Sequence, residues 1–285
     1  MQAGDHTSRA PVVVARCALH PVPRTLLLPL AARAYGGERF PWLACEDHEA
    51  RRLLSCMQPE PRQVLEDTVL VLNVLWRTRV LKQAAGAFFE AHPRAAGVNL
   101  GCGLSHPYQW LDNGRNTWLD ADLPEVMALR RQLLPARPPR WRDAELDLRH
   151  PGWWQALGLP VRTAGAAAPV FALCEGVSMY LRPREVSGVL REFAAEAPAG
   201  SQLLADFISY LGVGHARALP SLAHSQAQFR WGAHAWSDFT DAHPRLQVLA
   251  RRSVAECGGW PAQFAEAVAQ PVLGPALYGM VLLGV

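Results

Sequence analysis

Hydrophobic and polar positions divide the chain into two regimes. Between residues 24 and 93 the apolar positions recur at helical spacing, clearest in Val64, Leu65, Thr68, Val69, Leu72, Leu75 and Trp76, and no strand-like pair interrupts them. This region is expected to form a helical layer. From Gly97 onward the pattern changes to short apolar runs separated by helical stretches: 97–101, 117–120, 141–147, 169–174 and 202–208. Such alternation predicts right-handed crossovers, hence a mostly parallel sheet with helices on both faces. Two further runs, 246–249 and 276–283, would complete the sheet.

Residues 1–23 are rich in proline and polar side chains and read as a loose arm, leaving 24–285 as one domain. Between residues 209 and 244 the strand pattern lapses into a stretch carrying Phe229, Arg230, Trp231, Trp236 and Phe239. A long insertion after a strand's C-terminal end falls where open α/β sheets bind ligands, so it is read as a cap over a substrate. The alternative is a helical hairpin that packs these aromatics into the core.

The densest chemical signal sits at the first strand. Val98, Asn99 and Leu100 lead into Gly101, Cys102 and Gly103, and the next strand ends in Asp122 about twenty residues on. Glycines let the backbone approach a ligand closely, and an acid after the following strand can accept from both ribose hydroxyls. No third glycine follows at the dinucleotide spacing, where Ser105 and His106 stand, so a ligand without a pyrophosphate is favoured. That points to S-adenosylmethionine rather than NAD. Asp122 also precedes Pro124, a helix-start residue, so capping and ribose binding are both open to it.

With Asp122-Leu123-Pro124-Glu125-Val126, Asp147-Leu148-Arg149 and Glu175-Gly176-Val177-Ser178-Met179-Tyr180-Leu181, the glycine motif resembles the leucine carboxyl methyltransferase family. The bacterial branch of polyketide O-methyltransferases is the most similar in pattern. Leu28-Pro29-Leu30-Ala31-Ala32-Arg33-Ala34, Phe229-Arg230-Trp231-Gly232 and His243-Pro244 extend the likeness over residues 24–285. The resemblance implies an α/β fold, the Rossmann-like seven-stranded doubly wound sheet of a class I methyltransferase, with the cap inserted after the fifth strand. It also implies cofactor roles for S-adenosylmethionine. Gly101 and Gly103 would approach the methionine part, Asp122 the ribose, Asp147 with Leu148 the adenine edge, Glu175 the amino group and Arg77 the carboxylate. Each has a plainer alternative: Asp147 as a helix cap, Glu175 as a solvated strand end, Arg77 and Arg79 as exposed helix charges.

Where the family has Asp-Thr-Arg after its glycine motif, this chain has Ser105-His106-Pro107. A lost charge pair and a gained imidazole make His106 a candidate base, or mark a repacked loop. Tyr180 and Arg230 are the other candidates near an acceptor. The expected activity is O-methyl transfer to a carboxylate or phenol of a small natural-product-like molecule. Displacement within S-adenosylmethionine itself and non-catalytic binding are the alternatives.

A net charge of +3 without a basic run leaves no nucleic-acid footprint. No leader-like or membrane-length apolar segment stands out, so a cytoplasmic protein is expected. Six cysteines in 285 residues suggest reduced thiols. Cys17 with His20 and Cys45 with His48 have ligand-like spacing, but lie in irregular sequence without a supporting second motif, so no metal is expected.

Overall fold

The computed structural model describes residues 24–55, 65–134, 138–162, 167–223 and 225–285. The expected arm at 1–23, Val64 and the Cys17/His20 pair lie outside the described residues. The helical layer consists of α1 (Arg24–Tyr35), α2 (His48–Ser55) and α3 (Thr68–Ala91). Asp67 caps α3 by accepting from the Leu70 N–H at 3.0 Å. Packed between α1 and the sheet, α3 is covered on more than one side. Its buried line therefore runs through Val71, Val74, Leu75, Thr78, Leu81, Ala85 and Phe88, while Val69, one of the apolar positions that marked the helix, is 58% exposed.

Seven strands form one sheet: β1 (Ala96–Leu100), β2 (Thr117–Asp122), β3 (Trp141–Glu145), β4 (Val170–Cys174), β5 (Gln202–Ile208), β6 (Gln247–Ser253) and β7 (Tyr278–Gly284). Their order is β3-β2-β1-β4-β5-β7-β6, with β7 antiparallel to both neighbours and all other pairs parallel. Central strands buried on both faces need unbroken apolar runs, and β4 is buried at every position. The edge strand β6 alternates instead, which lets Arg251 and Arg252 extend it beyond the expected 246–249.

The order reverses between β1 and β4, the switch point where such sheets bind ligands. One face carries α1, α2, α3, the one-turn α4 (Tyr108–Leu111) and α5 (Pro124–Leu133). The other carries α6 (Trp153–Ala156) and α7 (Pro183–Glu196). The last helix, α8 (Gly259–Leu273), joins β6 to β7. The segment after β5 contains short 3-10 turns and splits its side chains between the faces. Leu219, Leu222 and Phe229 pack with the α1–α3 side, whereas Trp231, Trp236 and Phe239 join the α7 side. Among the described residues no helix is long and apolar enough to cross a membrane.

Candidate functional site

Three groups of residues meet the ligand edge of the sheet. The first begins where β1 ends. Gly101 and Gly103 adopt φ of +70° and +51°, and a Cβ on Gly101 would lie 2.3 Å from Val177 Cγ2, so only glycine fits there. The N–H groups of Gly101 and Cys102 both donate to Ala121 O, at 2.8 and 3.1 Å, closing the turn onto β2. The helix that follows is a single turn, started by Pro107 and ended by a turn at Asn113 and Gly114. It offers little of the helix-end dipole that a pyrophosphate would use.

Asp122 ends β2 with its carboxylate aimed back at this turn. Oδ2 accepts from Gly103 N–H and Oδ1 from Leu123 N–H, each at 2.7 Å. Helix α5 begins at Pro124 without a side-chain cap, so Asp122 braces the glycine turn rather than capping. Burial raises its pKa above the ordinary carboxylate value, the two N–H donors opposing. A carboxylate has about four acceptor sites, so two remain for hydroxyl donors.

The second group is a buried charge cluster beneath the β4 and β5 ends. Arg77 Nε lies 2.6 Å from Glu175 Oε1. Its Nη1 donates to Tyr278 Oη at 2.9 Å and lies 3.3 Å from Asp206 Oδ2. Tyr278 donates to that same oxygen at 2.6 Å, and Gly176 N–H donates to Asp206 Oδ1 at 2.8 Å. Burial alone would lower the guanidinium pKa, but Tyr278, Glu175 and Asp206 together hold it well above its usual value. Burial pushes the Asp206 carboxyl up, against the pull of Arg77, and pushes the Tyr278 phenol well up. With both acids ionised the cluster carries one excess negative charge, suited to an ammonium. Tyr180 sits beside Arg77 and Asp206 with its phenol raised by burial and its ring 5.6 Å from Phe229.

Asp147 and Leu148 follow β3. The Asp147 carboxylate is gripped by Arg149, with Nη2 at 2.6 Å and Nε at 2.8 Å, and that contact lowers its pKa to about 2. No helix starts there; Asp147 closes a turn through Arg149 N–H and His150 N–H, so the capping alternative is not what the fold uses.

The remaining candidates stand apart from the cluster. His106 is 8% exposed and its ring lies 4.2 Å from that of Trp141. Its charged neighbours are Asp120, Arg130, Glu49 and Asp47, and burial lowers its pKa. Nδ1 has no hydrogen-bond partner among the described residues. Arg230 is exposed and is held through its backbone, N–H to Met179 O at 2.7 Å. Its neighbour Trp231 is buried edge-on to Phe239 at 5.6 Å, and so anchors the segment. Cys45 donates to Arg33 O, with its thiol pushed up to about 11 by burial. Among the described residues no group of three or more His, Cys, Asp or Glu could hold a metal.

Four functional neighbours escaped the sequence reading. Asp206 left a signal, a charge inside the apolar run 202–208; Tyr278 left none. Arg130 looks like one of two exposed helix arginines, yet it is fully buried, donating from Nη1 to Gly103 O and Ser105 O at 2.7 Å and from Nη2 to Asp120 Oδ2 at 2.6 Å. Asp120 also accepts from Asn99, Trp118 and Trp141. The backbone at Gly103 and Ser105 is thus held by the buried Arg130–Asp120 salt bridge.

Comparison with known proteins agrees with this fold. A sequence model described as leucine carboxyl methyltransferase matches residues 29–194. The tetracenomycin polyketide synthesis O-methyltransferase TcmP of Streptomyces glaucescens is 28% identical over 74% of this chain and 75% of its own. The S-adenosyl-L-methionine-dependent methyltransferase dpfgK of Gibberella zeae is 29% identical over 59% of this chain and 58% of its own. Among solved structures, a candidate methyltransferase from Thermobifida fusca YX superposes with a TM-score of 0.54 at 15% identity, covering 95% of this chain and 98% of the other.

Proposed function

The chain belongs to the leucine carboxyl methyltransferase family, and from that premise we propose that it methylates a carboxylate oxygen of a small natural-product-like acceptor. It is an S-adenosylmethionine-dependent methyltransferase, and the cofactor supplies an electrophilic methyl group on a sulfonium. The residues present fit that cofactor. In this reading Gly101 and Gly103 bring backbone close to its methionine part, and Asp122 uses its two spare acceptor sites on the ribose. Asp147 and Leu148 take the adenine edge, with Arg149 sharing the carboxylate. Arg77 spends Nε and Nη1 on the protein, which leaves Nη2 for the methionine carboxylate, while Glu175 faces the amino group. The segment 209–244 covers the acceptor, with Tyr180 and Arg230 to orient it and exclude water.

The observation that carries the choice of oxygen is the burial of His106 against Trp141, away from the Arg77 cluster. A carboxylate is ionised at neutral pH and needs no base, whereas a phenol profits from one. Incubation with S-adenosylmethionine and a panel of acids and phenols tests this. The expected product is an alkali-labile methyl ester, formed with S-adenosylhomocysteine and at an unchanged rate in His106→Gln. An alkali-stable ether whose formation collapses in that variant would make His106 the base. Methylthioadenosine released without an acceptor would indicate displacement within the cofactor.

A further inference from the structure

The family match ends at residue 194, and α8 lies beyond it. This helix buries none of its residues in the described structure. Trp260, Phe264, Val268 and Val272 recur every fourth residue, so they form one ridge along it, and they are 78%, 65%, 65% and 64% exposed. Its one charged side chain, Glu266, is turned inward, accepting from the Ser253 hydroxyl at 2.7 Å. The ridge is therefore apolar and uncharged over about three turns.

Its C-terminal end continues onto neighbouring apolar surface. Tyr210 donates to Val272 O and Ser209 to Leu273 O, which brings the exposed Leu211 near the helix end, and Leu277, also exposed, comes after the buried residues 274–276. Aromatic side chains offer on the order of 150–250 Å² each, so the ridge alone exposes roughly 500 Å². With its flank the patch approaches the roughly 800 Å² per partner of a stable interface and exceeds what a monomer ordinarily leaves open.

We infer that α8 is a homodimer interface, in which the ridges of two copies pack across a two-fold axis. An isologous contact sets each residue against its own surface type, and an uncharged ridge meets no like-charge penalty there. Residues of the i, i+4 row interdigitate in the commonest helix packing. A lipid surface is the less favoured occupant, because α8 carries no lysine or arginine to meet anionic headgroups.

Analytical ultracentrifugation of the full chain over a concentration series tests this, beside Phe264→Glu and Val268→Glu. Both positions are exposed, so the variants should still fold, with a melting temperature equal to that of wild type diluted to its monomer. Wild type should sediment at twice the chain mass. Either glutamate should weaken the dimer more than about a hundredfold, since each is felt in both copies. A monomeric wild type overturns the inference, as does a dimer indifferent to both glutamates. Co-sedimentation of a monomeric protein with anionic phospholipid vesicles, lost in Phe264→Glu, would assign the ridge to a membrane instead.

Discussion

Replacing Arg130 by methionine should cost the protein both stability and cofactor affinity. The side chain is completely buried and so is its partner, Asp120. The substitution keeps the aliphatic stem but removes the donor at 2.6 Å from Asp120 and the two donors at 2.7 Å from Gly103 O and Ser105 O. Breaking a buried pair by deleting one partner leaves an uncompensated charge and costs about 3–5 kcal/mol. Three indole and amide donors remain on Asp120, which argues for the lower end of that range. Against a total stability of about 5–15 kcal/mol this is a large fraction. At about 2–4 °C per kcal/mol for chains of a couple of hundred residues, melting should fall by roughly 10 °C. Because Asp122 grips the N–H of the same Gly103, the loosened turn should also weaken S-adenosylmethionine binding about tenfold, measured by calorimetry well below the melting point. Asp120→Leu combined with Arg130→Met should be less destabilised than the two single losses added together, since no charge is then stranded. The reasoning fails if urea unfolding of Arg130→Met stays within about 1 kcal/mol of wild type.

Asp122→Ala should bind S-adenosylmethionine about ten- to a hundredfold more weakly, because hydrogen bonds to a charged acceptor are lost; unchanged calorimetric affinity in the folded variant would remove Asp122 from the site. Ribose donors favour the ionised carboxylate, whose pKa burial has raised, so wild-type affinity should fall as pH drops through that raised value, and the fall should vanish in Asp122→Asn. Arg77→Ala should weaken S-adenosylmethionine but hardly an analogue lacking the methionine carboxylate, and Tyr278→Phe, which lets Arg77 move, should weaken S-adenosylmethionine modestly and the analogue hardly at all. Equal loss for both ligands in Arg77→Ala would mark a structural arginine. His106 is lowered by burial, so below about pH 6.5 the unfolded chain binds the proton first and stability is lost as pH falls; in His106→Gln the acid limb of a urea midpoint against pH should flatten, and an unaltered limb would mean the imidazole is accessible in the fold.

The strands, the order of motifs and the glycine turn were legible in the sequence because each is a local requirement. A strand buried on both faces must be an unbroken apolar run, a φ of +70° at Gly101 demands glycine, and the acid of Asp122 falls at the end of the next strand. Helix orientation was less legible. The apolar spacing located α3 but not its buried faces: Leu75 and Trp76 are buried and Leu72 packs against the core, while Val69 faces solvent, since a helix covered on several sides has no single apolar face.

What the tertiary structure alone decided is which polar groups face one another. Asp206 and Tyr278 reach Arg77 from 129 and 201 residues away, and only the parallel sheet with its reversed last strand brings them together. The same holds for Arg130, whose neighbour Arg131 pairs at the surface with Glu145 while it turns inward to Asp120. Along the chain the two arginines are identical. Burial separates them, because a charge taken out of water must find its partner inside, and a local sequence window does not contain that partner.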